Sequence, residues 1–119
     1  MNPKFRAWDK ETQTMNGMAE IYRNKNQEIE LHPRDENIIL MQSTGLFDKN
    51  GKEIFEGDII GSKDGLLNGV VLYRSDLAMW TVDLIRYNNF ERLCNVASSR
   101  EIIGNIHENK DILEASDDQ

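Results

Sequence analysis

A single cysteine, Cys94, stands in this chain of 119 residues. One thiol closes no intrachain disulfide and builds neither a CxxC redox pair nor a zinc knuckle. Such usage suits a reducing compartment, and the expected location is the cytoplasm. Nowhere does an apolar run approach the roughly 20 residues of a membrane-spanning helix. The amino-terminal "MNPKFRAWDKE" has no apolar stretch ahead of its charges, so neither export nor a membrane partner is expected. Positive charge is also scarce: 14 Lys plus Arg face 21 Asp plus Glu, a formal net charge of -7. A field of that sign repels phosphate backbones and anionic lipids, which disfavours nucleic acid as a partner without barring it.

Catalytic signatures are missing too. No GxGxxG, GxxxxGKS, HExxH or GxSxG pattern occurs, so nucleotide, metalloprotease and serine hydrolase chemistry have no starting point and no cofactor is called for. His32 in "LHPRD" and His107 in "GNIHEN" are far apart in sequence, and neither has a second ligand at metal spacing. Cys94 lies in "RLCNV", which reads as a strand with Leu93 and Cys94 on opposite faces and Cys94 as a semi-buried, inert thiol. The chain is therefore expected not to be an enzyme. The rival reading needs a cleft that gathers Cys94 with His107, or several loop carboxylates.

What is present has a β rhythm. Hydrophobic residues make up 39% and charged residues 29%, enough for one globular domain with a modest core. Charges of both signs mix, as in "NKNQEIELHPRDEN", which reads as a solvated surface. Apolar positions come in short runs or alternate with polar ones, and turn residues interrupt them about every dozen positions. Strands are expected at "KFRAWD", "AEIYR", "EIEL", "NIILMQ", "KEIF", "GDIIGS", "GVVLYR", "MWTVDL", "ERLCNV" and "EIIGNIHE". Between them "DKETQ", "HPRDE", "DKNG", "KDGLLNG", "RYNNF" and "ASSR" supply turn chemistry. The expected product is a mainly β small barrel or roll. In the first strand Phe5 and Ala7 share one face, Arg6 and Trp8 the other, and a hairpin follows. The tail "EASDDQ" lacks apolar residues and is expected to stay disordered after a brief turn built on Ile112 and Leu113.

One stretch, "LFDKNGKEIFEGDII", gathers Asp48, Asn50, Glu53, Glu56 and Asp58 around two glycines and invites a calcium test. An EF-hand loop needs oxygen ligands at its first, third and fifth positions, glycine at the sixth and a bidentate Glu at the twelfth. With Gly51 at the sixth place, Asp48 and Asn50 fit the third and fifth, but Leu46 occupies the first and Gly57 the twelfth. The calcium reading fails, and flanking helices are absent. Asn50-Gly51 is instead the dipeptide of a type I′ hairpin turn, with Phe47 and Ile54 facing each other across it. Gly57-Asp58 opens a second reversal into the buried run Ile59-Ile60.

With those corners in place, "KFRAWDKETQTM", "LMQSTGLFDKNGKEIFEGDII" and "EIIGNIHEN" together resemble, in order and spacing, the three signature blocks of the YopX family. The resemblance spans nearly the whole chain. It implies a mainly β protein with an SH3-like barrel in the C-terminal half, encoded typically by bacteriophages and prophages of bacteria with low genomic GC content. It implies no established activity. One YopX-like domain then covers residues 1–119, with an N-terminal β-hairpin segment at 1–45, the barrel at 46–113 and the tail at 114–119. The segment "KDGLLNG" and the region Tyr73–Val96 match none of the three blocks.

That unmatched region carries the candidate partner surface. "RSDLAMWTVDLIRYNNFER" interleaves arginines with aromatics, a composition compatible with stacking and phosphate contact. The candidate residues are Tyr73, Arg74, Trp80, Arg86, Tyr87 and Arg92. Core packing accounts more simply for Trp80, since Trp80, Val82 and Leu84 alternate as one strand face while Met79, Thr81 and Asp83 form the other. The runs "NIILMQ" and "GVVLYR" lack strict alternation and so call for cover on both faces, which points to self-assembly as a homo-oligomer. The resulting expectation is a non-catalytic barrel that acts through host or phage protein contacts or through its own copies. The alternative is a nucleic-acid-binding barrel that uses the Arg/aromatic face.

Overall fold

The computed structural model describes residues 4–23, 29–31 and 37–114. Two compact units divide the chain, Met1–Ser43 and Thr44–Gln119.

The first unit is built on β1 (Lys4–Asp9), β2 (Thr14–Arg23), β3 (Ile29–Leu31) and most of β4 (Ile38–Phe47), in the antiparallel order β3-β2-β1-β4. Asp9 makes the first turn: its carboxylate accepts the N–H groups of Glu11 at 2.9 Å and Thr12 at 3.2 Å, and its carbonyl accepts that of Gln13 at 2.8 Å. Gln13 there adopts φ of 58°. β1 keeps an unbroken register against β4, from Phe5 opposite Gln42 to Asp9 opposite Ile38. Against β2 its register slips once between Arg6 and Ala7, with Gly17 the extra residue of a bulge. Ala7 and Trp8 point to opposite faces and both are buried.

The second unit starts with the last residues of β4 and continues through β5 (Glu53–Phe55), β6 (Asp58–Gly61), β7 (Gly69–Arg74), β8 (Met79–Leu84) and β9 (Phe90–Arg92). After these come α1 (Leu93–Val96), a 3-10 turn at Ala97–Ser99, β10 (Glu101–Asn105) and α2 (Lys110–Glu114). Its main sheet is antiparallel in the order β10-β6-β7-β8-β9 and curls into a half-barrel. The curl explains the unalternating Ile59-Ile60 run, since both side chains are fully buried on a strand that is covered on both faces. Ile54, Ile60, Val71, Val82, Leu93 and Ala97 form the core, with Leu46, Trp80, Val96 and Ile102 packed against it. Each fully buried aliphatic side chain contributes about 1.5–3 kcal/mol through removal from water. Gly69 lets β7 begin close against β8: a Cβ there would lie 2.5 Å from Val82 Cγ1 and 2.8 Å from the Asp83 carbonyl oxygen.

Four local expectations are corrected. "ERLCNV" is strand only to Arg92, because Leu93, Val96 and Ala97 recur at helical spacing and all three face the core. Cys94, on the outer side of that helical turn, is exposed rather than semi-buried. At the Asn50-Gly51 corner only Gly51 has positive φ, at 81°, so the turn is not type I′. The Gly51 N–H donates to the Asp48 carbonyl at 3.0 Å and the Asp48 N–H to the Lys52 carbonyl at 2.8 Å, which makes a type I turn followed by a left-handed glycine. The added loop residue moves the register by one, so Leu46 rather than Phe47 packs on the core with Ile54, while Phe47 is exposed. The turn at Ile112 and Leu113 is wound into α2. His32, the "HPRDE" turn and the tail after Glu114 lie outside the described residues. Among the described residues no helix is long and apolar enough to cross a membrane.

Candidate functional site

The acid-rich corner spends its polar groups inward. Asp48 is buried, and its Oδ1 accepts the N–H groups of Asn50 and Lys52, each at 2.9 Å, while Oδ2 accepts that of Ile102 at 3.0 Å. Burial by itself pushes the Asp48 carboxyl up, but these donations and the nearby Lys52 charge outweigh it and hold the group below the ordinary carboxylate range. The Lys49 N–H reaches the Arg100 carbonyl at 2.9 Å, and Asn50 Nδ2 donates to Glu101 Oε1 at 3.2 Å. Asp58, also buried, accepts the Phe55 N–H at 2.8 Å, and Gly57 turns the chain with φ of 86°. The corner thus ties β4, β5 and β10 together. Among the described residues no group of three or more His, Cys, Asp or Glu is placed to hold a metal ion. His107 donates its backbone N–H to Asn105 Oδ1 at 3.0 Å, in the turn after β10.

The Arg/aromatic segment forms the hairpin β7–β8, the edge strand β9 and the turns between them. Pairing fixes which side chains share a face: Tyr73 opposite Trp80, Val71 opposite Val82, Arg74 opposite Met79, Thr81 opposite Arg92 and Asp83 opposite Phe90. Tyr73 and Trp80 therefore lie on the side of Val71 and Val82, while Arg74 and Arg92 lie on the reverse side. Arg86 and Tyr87 occupy the five-residue turn 85–89 between β8 and β9. The six candidates form no single face. Trp80 is half-buried against the core and meets Tyr73 edge to face, centroids 5.2 Å apart and planes at 71°. Tyr73 is 48% exposed, and Leu77 at the hairpin tip is 40% exposed.

On the reverse side Arg74 Nη2 donates to Asp83 Oδ2 at 3.0 Å and the guanidinium lies 4.4 Å from the centre of the Phe90 ring. Thr81 donates to the other Asp83 oxygen, also at 3.0 Å. Arg74, Asp83 and Phe90 line an open pocket of about 340 Å³ together with Leu84, Tyr87, Asn88 and Asn89. The Leu84 N–H to Asn89 carbonyl bond, 3.0 Å, closes the turn at its mouth. The sequence singles out Arg74 and Tyr87, and Phe90 among the neighbouring rings, but not Asp83, Asn88 or Asn89. The signal was present: Arg74 and Asp83 fall on one face once "GVVLYR" and "MWTVDL" are paired as a hairpin, and "YNNF" is the turn that follows. A second arginine is likewise matched by an acid, since buried Arg100 makes a two-pronged pair with Glu91 at 3.0 and 3.2 Å.

Comparison with known proteins bears on the whole chain. The model of the family described as YopX protein matches residues 4–114. A crystal structure of protein EF1440 from Enterococcus faecalis is similar at 32% sequence identity and a TM-score of 0.58, with 94% of this chain and 98% of that one covered. The crystal structure of protein yopX from Bacillus subtilis is similar in fold, at 20% identity and a TM-score of 0.54 over the same shares of the two chains. No curated protein matches the chain.

Proposed function

The chain belongs to the YopX family, and from that premise we propose that it acts without catalysis of its own, through protein–protein contacts or self-assembly. Its setting in this reading is the cytoplasm of a bacterium that carries the phage or prophage encoding it. The observation that supports contact is the Tyr73–Trp80 pair. A tyrosine nearly half exposed near the end of β7, edge-on to a tryptophan and close in sequence to exposed Leu77 at the hairpin tip, is the aromatic-rich composition found at interface centres. The carrier in this reading is an SH3-like barrel. Five short antiparallel strands whose last returns beside the first, after a 3-10 turn, support that assignment.

The nucleic-acid alternative draws on Arg74, Arg86 and Arg92 of the same segment but loses part of its charge, because Arg74 is neutralised by Asp83. The net charge of -7 weighs the same way. The deciding experiment is capture of the tagged chain from its host during induction, with nuclease, at low and high salt, beside the solution mass of the purified protein. The expected result is a nuclease-resistant, salt-stable partner or homo-oligomer that Tyr73→Asp removes. A monomer that captures nothing overturns the proposal. Recovery of nucleic acid that is lost at high salt would install the alternative.

A further inference from the structure

We propose that the pocket at the β8–β9 turn is a binding site for an uncharged nucleobase, presented as the free base or nucleoside. Charge comes first. The floor holds one cation and one anion, Arg74 and Asp83, already joined at 3.0 Å, so the pocket offers no net charge to an anion. The molecule around it carries -7, which opposes phosphate.

Shape comes next. The guanidinium of Arg74 lies over the Phe90 ring, 4.4 Å from its centre, and Tyr87, 48% exposed, stands in the lining of the same pocket. Flat guanidinium and phenol surfaces suit a flat ring, since every nucleobase has a π face to stack on an aromatic or arginine plane. The volume of about 340 Å³ sits at the lower end of small-ligand pockets and suits a base or nucleoside rather than anything larger.

Hydrogen bonding then narrows the class. Among the described residues Asn88 is exposed and its amide has no partner, so it offers one acceptor and two donors. Asn89 spends its side-chain oxygen on the Phe90 N–H at 2.8 Å and keeps its NH2. A rim with donors and an amide acceptor matches the mixed donor and acceptor edge of a base. This proposal stands apart from the contact reading, because Tyr73 and Trp80 occupy the other face of the same hairpin.

The test is an NMR titration of the full-length chain with adenosine, guanosine, cytidine and uridine, beside their 5′-monophosphates, inorganic phosphate and a short single-stranded oligonucleotide. At least one nucleoside is expected to shift the amides of Tyr87, Asn88 and Asn89 saturably. Tyr87→Ala and Asn88→Ala are each expected to weaken that binding by roughly tenfold, with the rest of the spectrum native. Tyr73→Asp is expected to leave it unchanged. The proposal is overturned if no nucleoside shifts these residues, or if only phosphate, the monophosphates or the oligonucleotide do. An affinity indifferent to both Tyr87→Ala and Asn88→Ala overturns it as well.

Discussion

Two turns of the second unit, the acid-rich corner at residues 48–51 and the asparagine-rich turn at 85–89, are both polar and both join antiparallel strands. They use their polar groups in opposite ways. At the corner Asp48 is buried and accepts three backbone N–H groups, and Asn50 and Lys49 reach Glu101 on β10. Their bonding capacity goes into the fold. At 85–89 the Tyr87 and Asn88 side chains make no hydrogen bond among the described residues, and they border a pocket that Arg74 and Asp83 also line. A cluster of carboxylates is thus a poor marker of a ligand site when backbone donors already claim its oxygens. Polar groups without an internal partner are the better one.

The largest effect that separates the two turns is expected at Asp48. Asp48→Ala removes the acceptor of three N–H groups, at least partly shielded from water, and should destabilise the protein by about 3 kcal/mol in urea unfolding. A loss under about 0.5 kcal/mol would mean the corner is not structural, and the contrast with 85–89 would collapse. The same residue sets a pH signature. Its folded-state pKa is depressed, so its contribution is fully present above the unfolded value of about 3.9 and is lost as pH falls through the folded value. The stability gap between the natural chain and Asp48→Asn should accordingly be constant above about pH 5 and shrink below it. A gap that instead widens on acidification contradicts the hydrogen-bonding account.

Much of the fold was legible because alternation and turn chemistry are local. "KFRAWD", "GVVLYR" and "MWTVDL" are strands from first residue to last. What was not legible depended on partners distant in sequence. "LCNV" passes equally as strand or helix over four residues, and only core contacts at Leu93, Val96 and Ala97 decide for helix. The type I turn at Asn50-Gly51 is set by Asp48, whose carboxylate is committed partly to Ile102, 54 positions away. For the candidate site, the residues were visible but their sides were not. Tyr73 and Arg74 are neighbours in sequence and face opposite ways, so a segment that reads as one mixed patch separates into an aromatic pair and an ion-paired pocket.

A smaller effect isolates the backbone part of the corner. Gly51 has φ of 81° and nothing lies within 4 Å of the place where a Cβ would sit, so Gly51→Ala meets no clash and its cost is conformational alone. That cost should be about 1 kcal/mol, with Gly51→Asn losing less because asparagine tolerates the left-handed region. Thermal unfolding of the two variants would measure it. Equal losses for Ala and Asn would place the effect outside the turn geometry.

The smallest expected effect is the one that keeps the comparison sharp. Tyr87→Ala and Asn88→Ala remove exposed side chains that take no hydrogen bond within the fold, so each should change unfolding free energy by less than about 0.5 kcal/mol. Near-silence in stability is what a side chain kept for a ligand should show, whereas one that closes the turn should register as Asp48 does. The turn has its own closure in the Leu84 to Asn89 and Asn89 to Tyr87 backbone bonds, at 3.0 and 2.8 Å, which neither substitution touches. A loss of 2 kcal/mol or so for either variant, a size typical of structural defects, would assign 85–89 to the same class as the corner and leave the pocket without its rim.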